Sequence, residues 1–538
     1  MGGAAVAVMD TEPFLSVFEA FERSAAQHAA RPFLRAPASM TKGCWDGATE
    51  YSYQSVRHEV ASLVSAYAAR GIGAGDRVTT CLDSRLELYL HLLALNALGA
   101  SLVPVVSAAN DDEIRHIVSH SDSKLIVSTP EQVERLATLK VCSAIAADAL
   151  AGRDSDDALP QPDPQAEAAL LYTSGTTGKP KGCMLSNAYF LGSGEWYNGL
   201  GGICAISAAD RLLTPLPPNH MNALCTSFMA MLMCGGCVIQ VDRFHPREWW
   251  RTVREENASI IHCLGVMVAI LLTLPEDGDA EIGDQVRFAF APGSDPRHQG
   301  LFEARFRVPL VEAWAMTESG GGGVIIAHEE PRHVGERCIG RPVANTEWRI
   351  VDERDADVAQ GDSGELLVRA TGSDPRRGFF SGYHKDEAAT EAGWHGGWWH
   401  TGDVVREGAD GSLHFVDRRK NLIRRSGENI AAVEVEAALL SMDAVDNCAV
   451  CAVPDELRGD EVFAFVVANR AVTAREVFDH CLARLTYFKA PGHLAFVNAL
   501  PVTASQKVSR GEVKQLARAS VLSGACEDLR AHKKRPSG

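Results

Sequence analysis

The chain has 538 residues, a net charge of −17, 46% apolar residues and 22% charged residues. This much apolar material excludes a disordered chain, and the acidic surplus excludes a broad nucleic-acid-binding face, which calls for clustered basic residues. Length alone suggests about three or four structural units.

Residues 14–28 and 53–70 carry the apolar spacing of amphipathic helices. Residues 71–82 read as a glycine turn feeding a strand, not a dinucleotide fingerprint, because no helix start follows. Strands at 102–106 and 124–128 alternate with a helix at 111–119, which predicts α/β layering with largely parallel sheets. The Asp- and Pro-rich segment 154–164 predicts a surface connection. Residues 221–239 come nearest to a membrane span, but Asn222, Thr226, Ser227 and the Gly235–Gly236 pair interrupt them, so a buried helix followed by a strand is expected. Beyond Lys420, a helix at 432–441, strands at 447–453 and 462–468, a helix at 474–485 with Thr473 as N-cap, and a strand at 494–497 make a compact α+β lobe.

The fourteen cysteines form no dense disulfide-like framework. Two C-x-x-C pairs, Cys234/Cys237 and Cys448/Cys451, sit in apolar segments and read as core thiols. With no signal-peptide pattern at the N-terminus, a reducing cytoplasmic setting is expected. The basic run from Lys533 to Arg535 reads as a solvated tail.

The most informative stretch is LLYTSGTTGKPKG at 170–182, an apolar strand running into hydroxyls, glycines and two lysines. Thr173, Ser174, Thr176 and Thr177 offer hydroxyl donors, while Gly175, Gly178 and Gly182 let backbone N–H groups curl around an anion. Lys179 and Lys181 add positive charge. It is not a Walker loop, because Thr173 stands at the first glycine position and Pro180 follows Lys179. The bland alternative is a polar hairpin between two strands.

The stretch resembles the phosphate-loop signature of the acyl-adenylate-forming superfamily. EAWAMTESG (312–320), HTGDVV (400–405), VDRRKNLIRRSGEN (416–429) and PVTASQKVSR (501–510) follow in that family's order and approximate spacing, so the resemblance covers nearly the whole chain. It implies an α/β fold, with a large N-terminal lobe of layered sheets and helices (1–419) and a smaller mobile α+β C-terminal lobe (420–538) hinged at Lys420. It also implies ATP, Mg2+ and coenzyme A.

By the same resemblance, Glu318 is the magnesium ligand, a hard oxygen donor suited to that ion. Thr317 bonds the α-phosphate, and Trp314 takes the aromatic position that packs on adenine. Asp403 and Arg418 grip the ribose hydroxyls, as a carboxylate and a guanidinium can. Gly293 and Ser294, in FAPGSDP, flank adenine. Lys507 places an ammonium where charge develops on the α-phosphoryl oxygens, stabilising the transition state more than the ground state. Gly427 approaches the pantetheine arm, and His220 helps gate the acyl pocket, which Val266, Met267, the Gly320–Gly323 run and the helix bearing Trp196 and Tyr197 would line. The sequence departs from the family pattern at Ala315, Gln506 and Asn219.

The branch most resembled is crotonobetaine/carnitine–CoA ligase, which implies a small or unusual carboxylic acid. A quaternary ammonium would want an aromatic cage, for which Trp196 and Tyr197 beside Glu195 are candidates; a small aliphatic or unsaturated acid and an aryl acid stay open. The expected activity is an AMP-forming acid–thiol ligase acting through acyl-AMP. The alternatives are an enzyme loading a carrier-protein phosphopantetheine, a luciferase-like oxygenase, and a nucleotide-binding regulator without catalysis. The expected partners are the acid and CoA, with neither nucleic acid nor a membrane span, and a homodimer is the assembly entertained.

Overall fold

The computed structural model describes residues 13–38, 49–106, 109–150, 152, 159–173, 180–275, 282–425, 428–502 and 508–533. The chain packs as two units, residues 1–348 with 368–399, and residues 349–367 with 400–538. The packing thus gathers 349–367 and 400–419 with the C-terminal residues.

Two seven-stranded sheets carry the larger unit. In one, Leu310–Val311, Phe288–Phe290, Ile260–His262, Arg211–Thr214, Cys237–Gln240 and Pro32–Ala36 run parallel, and Thr49–Ser52 adds an antiparallel edge. In the other, Glu167–Thr173, Ser101–Pro104, Arg77–Cys81, Leu125–Ser128 and Ser143–Ala146 run parallel. Two antiparallel strands, Lys181–Ser186 and then Gly382–Tyr383, extend this sheet beyond Glu167–Thr173.

Strands such as Leu125–Ser128 and Cys237–Gln240 are buried at every residue, as parallel strands covered on both faces must be. The apolar stretch after Met221 forms a π-helical turn Asn222–Ser227, a helix Phe228–Cys234 and the strand Cys237–Gln240, with residues 223–232 and the whole strand buried. Among the described residues no helix is long and apolar enough to cross a membrane.

The smaller unit is built on a sheet in the order Glu428–Ile430, Ile423–Arg425, Gly459–Ala468, His493–Phe496, Glu527–Asp528, with Val445–Asp455 also paired to Gly459–Ala468. Side chains of Gly459–Ala468 alternate between two cores. Val462, Ala464 and Val466 pack with Val435, Leu439, Val477 and Phe478 from helices Ala432–Leu440 and Ala474–Leu482. Phe463 and Phe465 pack on the other face with Val513 and Ala517 of helix Arg510–Ser523. Burying each such Val or Phe contributes roughly 1.5–3 kcal/mol. Thr473 does cap its helix, in a reciprocal capping box with Glu476. Cys448 and Cys451, three apart on one strand, fall one in each core.

The terminal basic run departs from expectation at Lys533. Its ammonium is fully buried against Glu461, whose other oxygen meets Arg425 Nε at 2.9 Å. Two anchors deliver it there: Leu529 N donates to Gly492 O, and Arg530 pairs with Asp455. A lone lysine near a chain end is ordinarily solvated; the buried carboxylate of Glu461, 72 residues earlier, reverses that here.

Candidate active site

In the larger unit, Thr173 ends one strand and lies opposite Lys181 at the start of the next. The phosphate-loop stretch therefore joins the two arms of an antiparallel hairpin. Ser174, Gly175, Thr176, Thr177, Gly178 and Lys179, together with Gly427 and Lys507, lie outside the described residues. Ser186 caps the helix Asn187–Asn198 that follows, its side chain accepting from Tyr189 N.

That helix reaches the second motif. Tyr189 Oη donates to Thr317 O at 2.9 Å, and Phe380 N donates to Glu318 O at 3.0 Å, fixing the backbone of both residues. The glycine run after Glu318 packs on the helix so closely that a Cβ on Gly321 would lie 2.5 Å from the carbonyl of Gly192. Only glycine allows that approach. The run thus spends its lack of side chains on packing.

Glu318 is buried and accepts a 2.6 Å hydrogen bond at Oε1 from Tyr383 Oη. The Tyr383 ring faces the Lys181 ammonium at 4.7 Å, and Lys181 pairs with Asp386 at 3.0 Å. Burial first, and then the neighbouring Glu318 charge, hold the Tyr383 hydroxyl far above its ordinary value, so it stays a donor. The hydrogen bond from Lys181 lowers the Asp386 carboxyl below its usual range. Tyr383, Asp386 and Lys181 thus tie the hairpin base to the Glu318 loop.

Glu318 can hold a divalent cation as one carboxylate among substrate oxygens, the manner in which Mg2+ is commonly bound. No group of three or more His, Cys, Asp or Glu suited to a metal occurs among the described residues, and a magnesium–nucleotide site requires none.

Trp314 is buried on the strand Ala313–Trp314, paired to Ile325. Gly293 and Ser294 form a turn whose amides donate to the two oxygens of Glu312, at 2.6 and 3.0 Å. Burial lifts the Glu312 carboxyl to about 7 against the pull of those amides. The amides being taken, carbonyls are what this turn can offer a base. His220 is exposed, in the turn entering the π-helical segment, where its carbonyl accepts from Leu224 N.

Tyr197 corrects the cage reading. Its side chain is 0% exposed and its hydroxyl bonds His262 Nε2 at 2.8 Å, while Ser227 Oγ meets His262 Nδ1 at 2.8 Å. Burial depresses His262 to about 3, so the triad is neutral core. No face of Tyr197 is left for a ligand. Val266 is exposed and Met267 buried.

In the smaller unit, Asp403 and Arg418 are register partners on the antiparallel strands Trp399–Glu407 and Leu413–Arg418. Arg418 Nε lies 3.1 Å from Asp403 Oδ1, with the carboxylate buried and the guanidinium half exposed. Glu365 accepts from Gly402 N at 3.0 Å and pairs with Arg419, holding the turn before Asp403. The strands Ile423–Arg425 and Glu428–Ile430 pair antiparallel. Val502 and Val508 form an antiparallel bridge.

Sequence reasoning missed Tyr383, Asp386 and the role of Glu312. The first two carry no motif signal; they reach the site because Gly382–Tyr383 pairs with Met184 and Cys183, about two hundred residues earlier. Glu312 opened a recognised motif, but only its burial gives it a task.

Comparison with known proteins identifies the family. Residues 21–384 match the AMP-binding enzyme family and residues 434–507 the AMP-binding enzyme C-terminal domain. The chain is 31% identical over 505 residues to sulfoacetate–CoA ligase of Cupriavidus necator, covering 90% of this chain and 95% of that one. It is 28% identical to crotonobetaine/carnitine–CoA ligase of Citrobacter koseri, covering 86% of this chain and 93% of that one. The fold matches ATP-bound MatB from Rhodopseudomonas palustris with a TM-score of 0.81 at 22% identity, over 93% of this chain and 98% of that one. It also matches o-succinylbenzoate coenzyme A synthetase from Bacillus subtilis in complex with ATP and magnesium ion, with a TM-score of 0.80 at 24% identity, over 92% of this chain and 99% of that one.

Proposed function

This chain belongs to the AMP-binding enzyme family and is an ATP-dependent acyl-CoA ligase that uses ATP, Mg2+ and CoA, and from that premise we propose that its acid is a small carboxylate bearing a second polar or charged group. Two relatives support the substrate class, since they are named for sulfoacetate and for crotonobetaine and carnitine, each an acid of this kind. The observation that carries the site assignment is the junction of Glu318, Tyr383 and Lys181 at the base of the phosphate-loop hairpin.

The acid attacks the α-phosphorus of ATP, giving acyl-AMP and pyrophosphate; the CoA thiol then displaces AMP to form the thioester. The division replaces one difficult condensation by two displacements with a good leaving group. Bound Mg2+ supplies charge neutralisation across the phosphate oxygens, with Glu318 as its protein ligand. Lys181 and the hairpin hydroxyls hold phosphate, Thr317 the α-phosphate, Trp314 the adenine, and Asp403 with Arg418 the ribose. Lys507 meets the charge that develops during adenylation. His220 gates the acyl pocket, Gly427 approaches pantetheine, and Lys420 is the hinge between the two half-reactions. A cytoplasmic location and a homodimeric assembly complete the reading. The free thiols of the described cysteines suit a reducing compartment, and sedimentation tests the dimer.

Carboxylate-dependent ATP–pyrophosphate exchange across sulfonated, betaine, aliphatic, unsaturated and aryl acids tests the substrate class, followed by AMP release with and without CoA. Exchange confined to small polar acids, with CoA-dependent turnover, is expected. Preference for plain aliphatic or aryl acids would refute the substrate class, and exchange without CoA turnover would point to carrier-protein loading. Lys507→Ala should lose acyl-adenylate formation by about 100-fold or more, as removal of a transition-state donor does, yet convert supplied acyl-AMP with CoA. Equal damage to both steps would contradict that assignment.

A further inference from the structure

We propose that Tyr383 is a positioning residue that keeps the Glu318 carboxylate and the Lys181 ammonium close but apart, so that one serves the metal and the other the phosphates of the nucleotide. The inference rests on the reading of Glu318 and Lys181 given above. Opposite charges at one site tend to pair with each other, and a direct pair between these two would occupy the Glu318 carboxylate; Lys181 instead pairs with the more exposed Asp386. Here one phenol stands between them. Its hydroxyl takes Glu318 Oε1 at 2.6 Å, and its ring takes the Lys181 ammonium at 4.7 Å. The hydrogen bond orients the carboxylate, and the ring attracts the cation through its negative face.

The ring is itself held from several sides. Gly382–Tyr383 pairs antiparallel with Met184 and Cys183, Tyr383 N donates to Thr390 Oγ1 at 2.8 Å, and the ring meets Phe380 edge to face at 4.9 Å. Ser381 N and His384 N donate to Met184 O and Gly182 O, each at 2.8 Å. Glu318 and Lys181 therefore sit against a fixed post, and Asp386 takes up Lys181 from its other side. A partner that orients a metal ligand commonly governs metal affinity as much as geometry does.

The two contacts separate by substitution. Tyr383→Phe keeps the ring under Lys181 and removes the bond to Glu318; Tyr383→Leu removes both. Calorimetric titration of the full-length protein with ATP, in Mg2+ and in EDTA, reads metal-dependent and metal-free nucleotide binding without turnover. Tyr383→Phe should weaken binding in Mg2+ by about 10- to 100-fold, the range for loss of a partner to a metal ligand, and leave binding in EDTA unchanged. Tyr383→Leu should weaken binding in EDTA as well. Wild-type metal dependence in Tyr383→Phe overturns the proposal, and so does equal loss with and without metal, which marks a merely structural role. If the wild-type protein shows no metal-dependent binding, the assignment of Glu318 falls and the proposal with it; that outcome appears in the wild type, before any variant is compared.

Discussion

Glu312 is a buried carboxylate whose hydrogen-bond donors are the backbone amides of Gly293, Ser294 and Ala313. Burial raises it to about 7, above its ordinary 4.5, so the folded state favours the protonated form. Its contribution to stability is then full below pH 4.5 and is lost as pH rises through 7, a change of about 3 kcal/mol at most. Glu312→Gln removes that dependence and leaves one amide short of an acceptor, at a cost of about 1–3 kcal/mol. Urea unfolding at pH 5 and pH 7.5 should therefore show a deficit in the variant that shrinks at the higher pH; an equal deficit at both would contradict a raised ionisation. Asp403 makes a second case. Its pairing with Arg418 fits a site for vicinal hydroxyls, and Asp403→Asn should raise the KM for ATP at least about 10-fold, the equivalent of one charge-assisted hydrogen bond. Asp403 and Arg418 were legible in their motifs. Glu312 was not, because nothing in EAWAMTESG says that the turn 18 and 19 residues earlier will bring two amides to it.

Among the elements, the segment from Glu527 to Lys533 changes most between sequence and structure. The basic run at its end suggested solvent, yet Leu529 enters the core and Lys533 is buried on Glu461 beside Arg425. Two cations share one carboxylate, and the two partners should differ in what their loss costs. Lys533→Met leaves the Arg425–Glu461 pair intact and should cost about 1–3 kcal/mol. Glu461→Gln leaves two buried cations facing no anion and should cost about 3–5 kcal/mol. Guanidinium unfolding of both variants, followed by far-ultraviolet circular dichroism, tests the order; equal losses would count against the shared carboxylate. The phosphate-loop hairpin shows the opposite balance. Its strand, glycines and lysines were all readable, and Thr173 opposite Lys181 follows from them. Tyr383 comes from a short edge strand with no periodicity to announce it.

For the molecule as a whole, the eight described tryptophans, from Trp196 to Trp399, lie in the larger unit, so their fluorescence reports mainly on that unit. This unit buries two histidines in neutral form: burial lowers His91, bonded to Tyr67, to about 4, and His262 to about 3. Both folded values lie below the ordinary 6.5, so their contribution is present above pH 6.5 and is lost as pH falls through about 4 and then 3. Acid titration at fixed urea should destabilise the tryptophan-reporting unit progressively below pH 6.5, and His262→Gln should flatten the curve. A curve unchanged in that variant would show that His262 titrates normally.

The sequence by itself determined the family, the order of the motifs, the α/β layering and the chemical character of the hairpin, because these depend on local patterns: periodicity, turn residues and donors clustered along a few consecutive positions. Tertiary structure decided what those patterns meet. It brought Tyr383 from a strand about two hundred residues away to stand between Glu318 and Lys181, sealed Tyr197 into the core on His262, and drew Lys533 inside onto Glu461. The physical reason is the same each time. A side chain's environment is set by neighbours distant in the chain, and burial there fixes whether a phenol is a ligand cage or packing, and whether a lysine is solvated or half of an ion pair.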